Sequence, residues 1–392
     1  MAGKTKKPSS NFTLHNKVQL LCGGTEFYAQ LHAIINNSTH AFYLQTYIFE
    51  DDETGRSVAD ALLTAVKRGV QVYLMIDAYA SHALPKQFVK HLQQGGIHFR
   101  FFEPFFKSRH FYIGRRMHHK LAVADAMHCI VGGINVGNKY NDFPAQPGWL
   151  DFAVYVHGQA AREVCLVARQ MWRGMSAQKA SEDCTVHGFK AGMLPHMPVR
   201  LRRNDWVRNK IQISKTYRQI FTTATSHITI LCSYFMPGNM MKKYILRATK
   251  RGVKIKVIMA GRSDVALAKN AERFMYDWLL RNGVEIYEYL PNILHGKLAV
   301  CDSAWVTVGS YNINNISAYA SVELNLDIDD SAFATHTEYL MQRIIKNDCT
   351  RVTKAYKGNS RNIFKQFINW CSYEIVRLLF YLFTFYFRQR GN

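Results

Sequence analysis

The sequence contains no apolar stretch long enough to cross a membrane, because a spanning helix needs about 20 consecutive apolar residues. The longest run, residues 378–387, has ten residues and includes Thr384. The basic N-terminus is followed by Pro8 and Ser9 instead of the apolar core of a signal peptide. These absences predict a protein that stays on the cytosolic side of the membrane and does not span it.

The eight cysteines include no C-x-x-C pair, and most stand inside apolar stretches. A zinc site would need ligands paired more closely than these. We therefore expect free, buried thiols in a reducing compartment. The cysteines are Cys22, Cys129, Cys165, Cys184, Cys232, Cys301, Cys349 and Cys371.

Acidic residues are scarce: 28 Asp and Glu stand against 50 Lys and Arg, for a net charge of +22. This excess favours a polyanionic partner, and both nucleic acid and an anionic lipid surface qualify. No long Lys/Arg block resembles a disordered nucleic-acid tail. The 48% of hydrophobic residues indicate a packed globular chain.

An internal duplication organises the sequence, since three segments recur in the same order. The matching pairs are residues 40–47 with 227–234, 65–70 with 248–253, and 117–123 with 294–300. We infer two fused copies of one α/β unit. The predicted boundaries are a basic segment 1–17, a first unit 18–173, a linker 174–198, a second unit 199–350 and a tail 351–392.

Each copy alternates strands with helices. In the first copy, apolar or β-branched runs at 41–49, 70–76 and 97–102 predict strands. Helical spacing at 57–68 and 85–94 predicts the helices between them. This alternation indicates an α/β fold of two duplicated α/β/α units, each a mixed sheet flanked by helices.

One short motif with the spacing H-x-K-x4-D occurs in both copies. Residues two apart in an extended segment face the same side, so each His and Lys should project together. The glycine-rich turn downstream lets backbone approach an anion, and an Asn follows it. The residues are His118, Lys120, Asp125 and Asn135 in the first copy, and His295, Lys297, Asp302, Ser310 and Asn312 in the second.

The paired motif resembles that of the phospholipase D superfamily over residues 18–348, and the likeness extends to bacterial cardiolipin synthases of the short B class. Stretches 47–52, 115–120, 234–238 and 294–298 carry this resemblance. It implies a bilobal, pseudo-two-fold fold in which both motifs meet at one cleft. It also implies a phosphatidyltransferase that needs neither metal nor cofactor.

The resemblance assigns roles to the motif residues. His118 is expected to be the nucleophile and His295 the general acid and base. Lys120 and Lys297 would stabilise the phosphoryl oxygens, with Asn135, Ser310 and Asn312 as further phosphate contacts. Asp125 and Asp302 complete the catalytic motif but are expected to hold structure.

Two downstream carboxylates, Asp151 and Glu323, are expected by the same resemblance to orient His118 and His295 respectively. The alternative is a pair of solvated acids at strand edges. Position 133 is Gly where the second copy has Ser310, which would leave one hydroxyl fewer for phosphate. His119 could flank the site or contact a headgroup, and we favour the flank.

The C-terminal tail has the three- and four-residue spacing of an amphipathic helix, and its aromatic and basic residues suit a lipid headgroup zone. The alternative is a helix packed on the protein's own core. A second lipid contact is predicted at Phe101, Phe102, Phe105, Phe106, Phe111 and Tyr112. The apolar face of the tail comprises Phe364, Phe367, Ile368, Cys371, Ile375, Leu378, Leu379, Leu382 and Tyr386.

These observations favour cardiolipin synthesis, in which a phosphatidyl group moves between two phosphatidylglycerol molecules and glycerol leaves. The expected partner is anionic phospholipid at the cytoplasmic face of a bacterial membrane, with the protein bound peripherally. Hydrolysis of phospholipid by water, a nuclease and a non-catalytic lipid-binding protein are the alternatives. Water, phosphatidylethanolamine or a free polyol as acceptor stays open, and no nucleic acid partner is expected.

Overall fold

The computed structural model describes residues 12–104, 115–144, 146–173, 184, 194–353 and 363–388, with backbone only from 380 onward. Four of the aromatic residues predicted to contact lipid, Phe105, Phe106, Phe111 and Tyr112, lie outside these ranges. Most of the predicted linker also lies outside them, as do the side chains of Leu382 and Tyr386.

Strands and helices alternate through both halves of the chain. The strands are β1 Thr13–Cys22, β2 Ala41–Thr46, β3 Gln71–Asp77, β4 His98–Phe102, β5 Arg116–Met117, β6 Lys120–Ala124, β7 His128–Gly132, β8 Phe152–Gly158, β9 His196–Asp205, β10 Lys210–Ile211, β11 His227–Cys232, β12 Lys254–Ala260, β13 Val284–Tyr289, β14 Lys297–Cys301, β15 Trp305–Gly309, β16 Ser321–Ile328 and β17 Cys349–Val352. The helices are α1 Gly23–Asn36, α2 Glu53–Lys67, α3 Lys86–Gln94, α4 Gln159–Arg173, α5 Gln212–Thr223, α6 Asn239–Lys250, α7 Ala266–Arg281, α8 Asn315–Tyr319, α9 Ser331–Asp348 and α10 Ile363–Arg388.

The two halves form mixed sheets with the same strand order. The first sheet runs β4-β3-β2-β6-β7-β8-β1. The second runs β13-β12-β11-β14-β15-β16-β9, with β17 added beside β13. In each sheet the first three strands are parallel and the others antiparallel, which confirms the duplicated α/β architecture.

Helices cover both faces of each sheet. Along β2, Phe42 and Leu44 pack toward α1, α2 and α3, whereas Tyr43 faces the core that contains α4. This alternation follows from the two-residue period of a strand. The core around α4 also contains Leu298 and Leu324 of the second unit, so one apolar interior joins the two units.

Two boundaries differ from the sequence prediction. Strand β1 begins at Thr13, inside the segment assigned to a basic N-terminus, and pairs with β8 and β9. Strand β9 begins at His196, inside the predicted linker. The start of β1 and the start of β9 pair with each other and so connect the two units. Their polar composition gives no apolar strand pattern, so the sequence did not predict these strands.

The expectation of free thiols is wrong for two of the eight cysteines. Cys165, on α4, is bonded to Cys184, and their Cα atoms are 6.1 Å apart. The other six are free. The 19-residue separation of the pair carries no sequence signature, since only the return of the chain to α4 brings the two sulfurs together.

The motif aspartates hold backbone, as expected. Asp125 accepts hydrogen bonds from the three amides of residues 39–41 at 2.8–2.9 Å and from the Thr39 hydroxyl. Asp302 makes the same four bonds to residues 225–227. Burial alone would raise the pKa of each carboxyl, but these hydrogen bonds hold the pKa of both below the usual value.

These bonds also correct the alignment of the two copies. Asp302 reaches His227 as Asp125 reaches Ala41, so Ala41 is the counterpart of His227. The match of His40 with His227 is therefore wrong by one residue. Tyr47 is therefore the counterpart of Ser233. Tyr47 contacts His118 and Ser233 contacts Lys297, so the corrected alignment changes which side chains are compared at the motifs.

We expect Asp125→Asn to lower the free energy of unfolding by about 1–3 kcal/mol at neutral pH, because charged acceptors make the stronger hydrogen bonds. The pKa of the folded carboxyl lies below that of the unfolded chain. The stabilisation is therefore complete above about pH 4 and is lost as the pH falls through the folded pKa. Chemical denaturation across this range measures it. Asp60→Asn, on the exposed face of α2, is the control. Unchanged stability with lost activity would contradict the structural role.

Candidate active site

Backbone pairing between the units positions His118. Strand β5 runs parallel to the start of β16, with Met117 opposite Val322. The amide of His119 donates to the carbonyl of Val322 at 2.9 Å. The next residue of β16 is Glu323, and its Oε2 lies 3.0 Å from Nδ1 of His118.

The second histidine is held by an equivalent contact. The amides of His295 and Gly296 both donate to the carbonyl of Leu150, at 2.8 and 3.0 Å. The residue after Leu150 is Asp151, and its Oδ2 lies 2.6 Å from Nδ1 of His295. Each histidine is thus fixed to the start of one strand of the other unit, β16 for His118 and β8 for His295.

The carboxylates are therefore exchanged relative to the sequence prediction. Asp151 was expected beside His118 and Glu323 beside His295, and the structure pairs them the other way. The alternative of solvated strand-edge acids is also wrong, since Asp151 and Glu323 are 1% and 0% exposed. Position along the chain could not show this, because the pairing is set between the units.

The hydrogen bonds fix the state of both imidazoles. A carboxylate only accepts, so Nδ1 of each ring donates and Nε2 remains for chemistry. Burial lowers the pKa of His118, and Glu323 opposes this shift. Burial and Lys297 lower the pKa of His295 to about 4, against the effect of Asp151. Both rings are thus neutral at pH 7 in this structure.

The two lysines share one electrostatic site with the histidines. Lys120 donates to the carbonyl of His118 at 2.6 Å, and Lys297 donates to Ser233 Oγ at 3.1 Å and to the carbonyl of His295. Burial and the charge of Lys297 lower the pKa of Lys120 to about 7. Each lysine also lowers the pKa of the other unit's histidine, so the four groups interact electrostatically across the two units.

Of the three predicted phosphate contacts, the two asparagines use their amide oxygens within their own unit. Asn135 Oδ1 accepts from the amide of Ile48 at 3.0 Å, and Asn312 Oδ1 accepts from Cys232 Sγ at 3.6 Å. The Asn135 oxygen thus holds the loop after β2, and the Asn312 oxygen accepts from the last residue of β11.

Ser310 does not match its expected role as a direct phosphate contact, because its hydroxyl donates to Glu323 Oε2 at 2.5 Å. Gly133, its counterpart, stands against Asp151: a Cβ at this position would lie 2.3 Å from Oδ1. The departure at position 133 therefore follows from the close approach of the carboxylate.

Aromatic rings that the sequence analysis did not assign to the site line both histidines. The ring of Tyr47 is 5.0 Å from that of His118, and Lys120 Nζ lies 5.2 Å from its centroid. Tyr140 and Trp149 lie 5.5 and 5.8 Å from His295. The position of Trp149 two residues before Asp151 was the one available signal.

His119 is fully buried, with Nε2 2.8 Å from Gln45 Oε1. This fits the flanking position favoured from the sequence and excludes headgroup contact in this conformation. In the part of the chain that the structure describes, no group of three or more His, Cys, Asp or Glu is placed to hold a metal ion.

The exchanged pairing predicts selective effects on the two histidine titrations. Glu323→Gln removes the carboxylate that opposes burial at His118, so the pKa of His118 should fall while that of His295 is retained. Asp151→Asn should do the reverse. Histidine ring NMR during a pH titration distinguishes them, with His118→Ala providing the assignment. Activity should fall about 10²–10⁴-fold in each variant. A shift of the histidine in the same unit would contradict the structure.

Comparison with known proteins identifies relatives of this chain. The chain is 31% identical to cardiolipin synthase B of Salmonella typhimurium over 354 residues, 87% of this chain and 83% of the relative. It is 30% identical to cardiolipin synthase B of Escherichia coli strain K12, with the same coverage. A solved phosphatidylserine synthase of Haemophilus influenzae shares the fold, with a TM-score of 0.67 at 14% identity over 88% of this chain and 90% of that one.

The family described as cardiolipin synthase, PLD-like domain, matches residues 31–143 and 217–345. These two ranges contain both H-x-K-x4-D motifs and exclude the tail. By this match and by the identity to its relatives, the chain belongs to the cardiolipin synthase family of phospholipase D-like proteins.

Proposed function

We propose that this protein is a cardiolipin synthase that transfers a phosphatidyl group from one phosphatidylglycerol to another and releases glycerol. The observation that carries the proposal is the pair of imidazoles, each bonded at Nδ1 to a buried carboxylate of the other unit, with Lys120 and Lys297 acting on both. Such a site suits a phosphodiester anion attacked by one ring and protonated by the other. Family membership supports the lipid as substrate.

In the first step, Nε2 of His118 attacks phosphorus and forms a P–N bond. The P–O bond to glycerol breaks, and the departing oxygen takes the proton that His295 carries on Nε2. An anionic substrate near His295 favours this protonated form, since nearby negative charge raises a histidine pKa. Asp151 then stabilises the imidazolium until the proton is transferred.

In the second step, a hydroxyl of the second phosphatidylglycerol gives its proton to Nε2 of His295 and attacks phosphorus. The P–N bond breaks, His118 regains its lone pair, and diphosphatidylglycerol leaves. His295 again carries a proton on Nε2, as it did when the first step began, and it loses this proton to solvent when the anionic product leaves. Water in place of this hydroxyl would give phosphatidic acid, which is the product of the hydrolytic alternative.

The lysines stabilise the charge that spreads over the phosphoryl oxygens. Burial and mutual repulsion lower the pKa of Lys120, as described above. A phosphodiester between the two ammonium groups offsets the repulsion and favours the charged form of both. The amide NH2 groups of Asn135 and Asn312 add neutral donors. Fixed donors of this kind are the largest contribution in many phosphoryl-transfer sites.

Purified protein given labelled phosphatidylglycerol in mixed micelles should form diphosphatidylglycerol. His118→Ala should lower the rate by about 10⁴-fold or more, because the covalent intermediate cannot form. His336→Ala, an exposed histidine of α9, is the matched control. Phosphatidic acid as the sole product would replace this function with hydrolysis, and full activity of His118→Ala would remove the nucleophile.

The tail helix α10 supports a lipid surface as the place of action. Val376 is buried and Tyr373 contacts Phe274 of α7 at 4.8 Å, so one face packs on the protein. Phe364 and Leu378, on the predicted apolar face, are 68% and 58% exposed. Among the described helices, none is long and apolar enough to cross a membrane.

Both interpretations of the tail thus apply, to different faces of one helix. The packed face sets the helix against the second unit, and the exposed face presents apolar and aromatic side chains together with Lys365 and Arg377. This combination suits the headgroup zone of an anionic leaflet. We propose peripheral binding at the cytoplasmic face of the membrane through this exposed face.

Phe367→Ser and Leu378→Ser should each weaken binding to phosphatidylglycerol vesicles by about tenfold, because each removes apolar area that would enter the leaflet. Their activity toward lipid in detergent micelles should stay near wild type. Tyr339→Ser, an exposed aromatic on α9, controls for general surface effects. Vesicle sedimentation measures the binding. Unchanged binding of both variants would contradict the role of α10.

A further inference from the structure

The second unit has a hydrogen-bonded pair, Tyr234 and Asp264, next to the active-site residue Ser233. The first unit has an apolar residue at the position of Tyr234. The amide of Met236 pairs with the carbonyl of Ile313 as that of Glu50 pairs with Val136, so Tyr234 occupies the place of Ile48. The hydroxyl of Tyr234 donates to Asp264 Oδ1. An apolar side chain in one unit is thus replaced by a tyrosine–carboxylate pair in the other.

This pair is connected to the site through Ser233. Tyr234 follows Ser233, which accepts the hydrogen bond from Lys297 at 3.1 Å. Burial lowers the pKa of Lys297, and Asp264 is among the carboxylates that oppose this shift. Burial raises the pKa of Tyr140, whose ring lies 5.5 Å from His295, and Asp264 adds to that shift.

Asp264 differs from the other carboxylates near the lysines. Asp77, Asp151 and Glu323 are buried, and each is bonded to a backbone amide or to a catalytic histidine. Asp264 is exposed, and its Oδ1 takes the bonds from Tyr234 and Ser263. Its Oδ2 has no hydrogen-bond partner among the residues that the structure describes.

An exposed carboxylate at the edge of a phosphate site has a restricted set of ligands. It repels the phosphate itself and accepts hydrogen bonds from hydroxyl groups. In an in-line displacement the leaving and entering oxygens lie opposite the nucleophile. If His118 attacks, both alcohols occupy the side of His295 and Lys297, and Asp264 is connected to Lys297 through Tyr234 and its neighbour Ser233.

We propose that Asp264, oriented by Tyr234, binds the free hydroxyl groups of the glycerol headgroup and selects a polyol over water as acceptor. The subsite holds the departing glycerol in the first step and the glycerol moiety of the second phosphatidylglycerol in the next. This inference rests on the proposed function and on His118 as nucleophile. It makes Asp264 a specificity-determining residue, since no bond to it forms or breaks.

Partitioning of the covalent intermediate tests the subsite independently of the first step. Wild type and Asp264→Asn receive phosphatidylglycerol in detergent micelles with increasing concentrations of labelled glycerol. Labelled phosphatidylglycerol reports transfer to glycerol, and phosphatidic acid reports transfer to water. Asp264→Asn should need about 10- to 100-fold more glycerol to reach the same ratio, because a hydrogen bond to a charged acceptor is lost.

Two further variants complete the design. Tyr234→Phe removes the donor that orients Asp264 and should shift the ratio in the same direction by a smaller factor. Asp60→Asn controls for loss of a surface charge and should leave the ratio at its wild-type value. Folding of each variant is checked by its thermal transition.

The possible outcomes separate this inference from the function on which it rests. A wild-type ratio in Asp264→Asn, with diphosphatidylglycerol still formed, overturns the subsite alone. Wild-type protein that makes only phosphatidic acid at every glycerol concentration overturns the proposed function as well. Labelled ethanolamine provides a second comparison: if Asp264→Asn impairs ethanolamine transfer and spares glycerol transfer, the carboxylate binds an ammonium group and the polyol assignment is wrong.

Discussion

The active site depends on a carboxylate of one unit bonded to the histidine of the other. A neutral imidazole buried without such a partner would be free to rotate and to exchange tautomers. Asp151 and Glu323 remove this freedom and leave Nε2 of each ring available for chemistry. The pairing also stabilises the packing of the two units, because Nδ1 of each ring and the buried carboxylate of the other unit satisfy each other's hydrogen-bonding requirement.

The two units have the same backbone fold, but the side chains around their motif residues differ. Tyr47 stands where Ser233 stands in the copy, and Gly133 where Ser310 stands, so the two lysines and the two carboxylates have different neighbours. Ser310 donates to Glu323, whereas Asp151 is bonded to the amide of its own neighbour, Phe152, at 2.7 Å. Identical catalytic groups can take different roles in a two-step displacement when their surroundings differ in this way.

The sequence was sufficient for the architecture and for locating the two motifs. The duplication, the strand and helix order of each copy and the repeated motif all follow local patterns, and the structure agrees with them. Local sequence patterns could not predict which residues from distant segments contact each other. The exchanged carboxylates arise from β5 beside β16 and from residue 150 beside residue 295, and the Cys165–Cys184 bond arises from a similar return of the chain. The one-residue error in aligning residues 40 and 227 reflects chance identity of two histidines that hold different positions.

Because the contacts are crossed, the carboxylate and the histidine of one unit do not bond to each other. Two separate copies would have to associate before either histidine was oriented, and their activity would then depend on protein concentration. Joining the copies in one chain turns that encounter into an intramolecular one, with a high effective concentration of each for the other. Strand β1, which pairs with both β8 and β9, strengthens the connection at the opposite end of the sheets. The fused chain can therefore remain assembled at any dilution, and its two motifs are free to diverge in sequence while the backbone symmetry is kept.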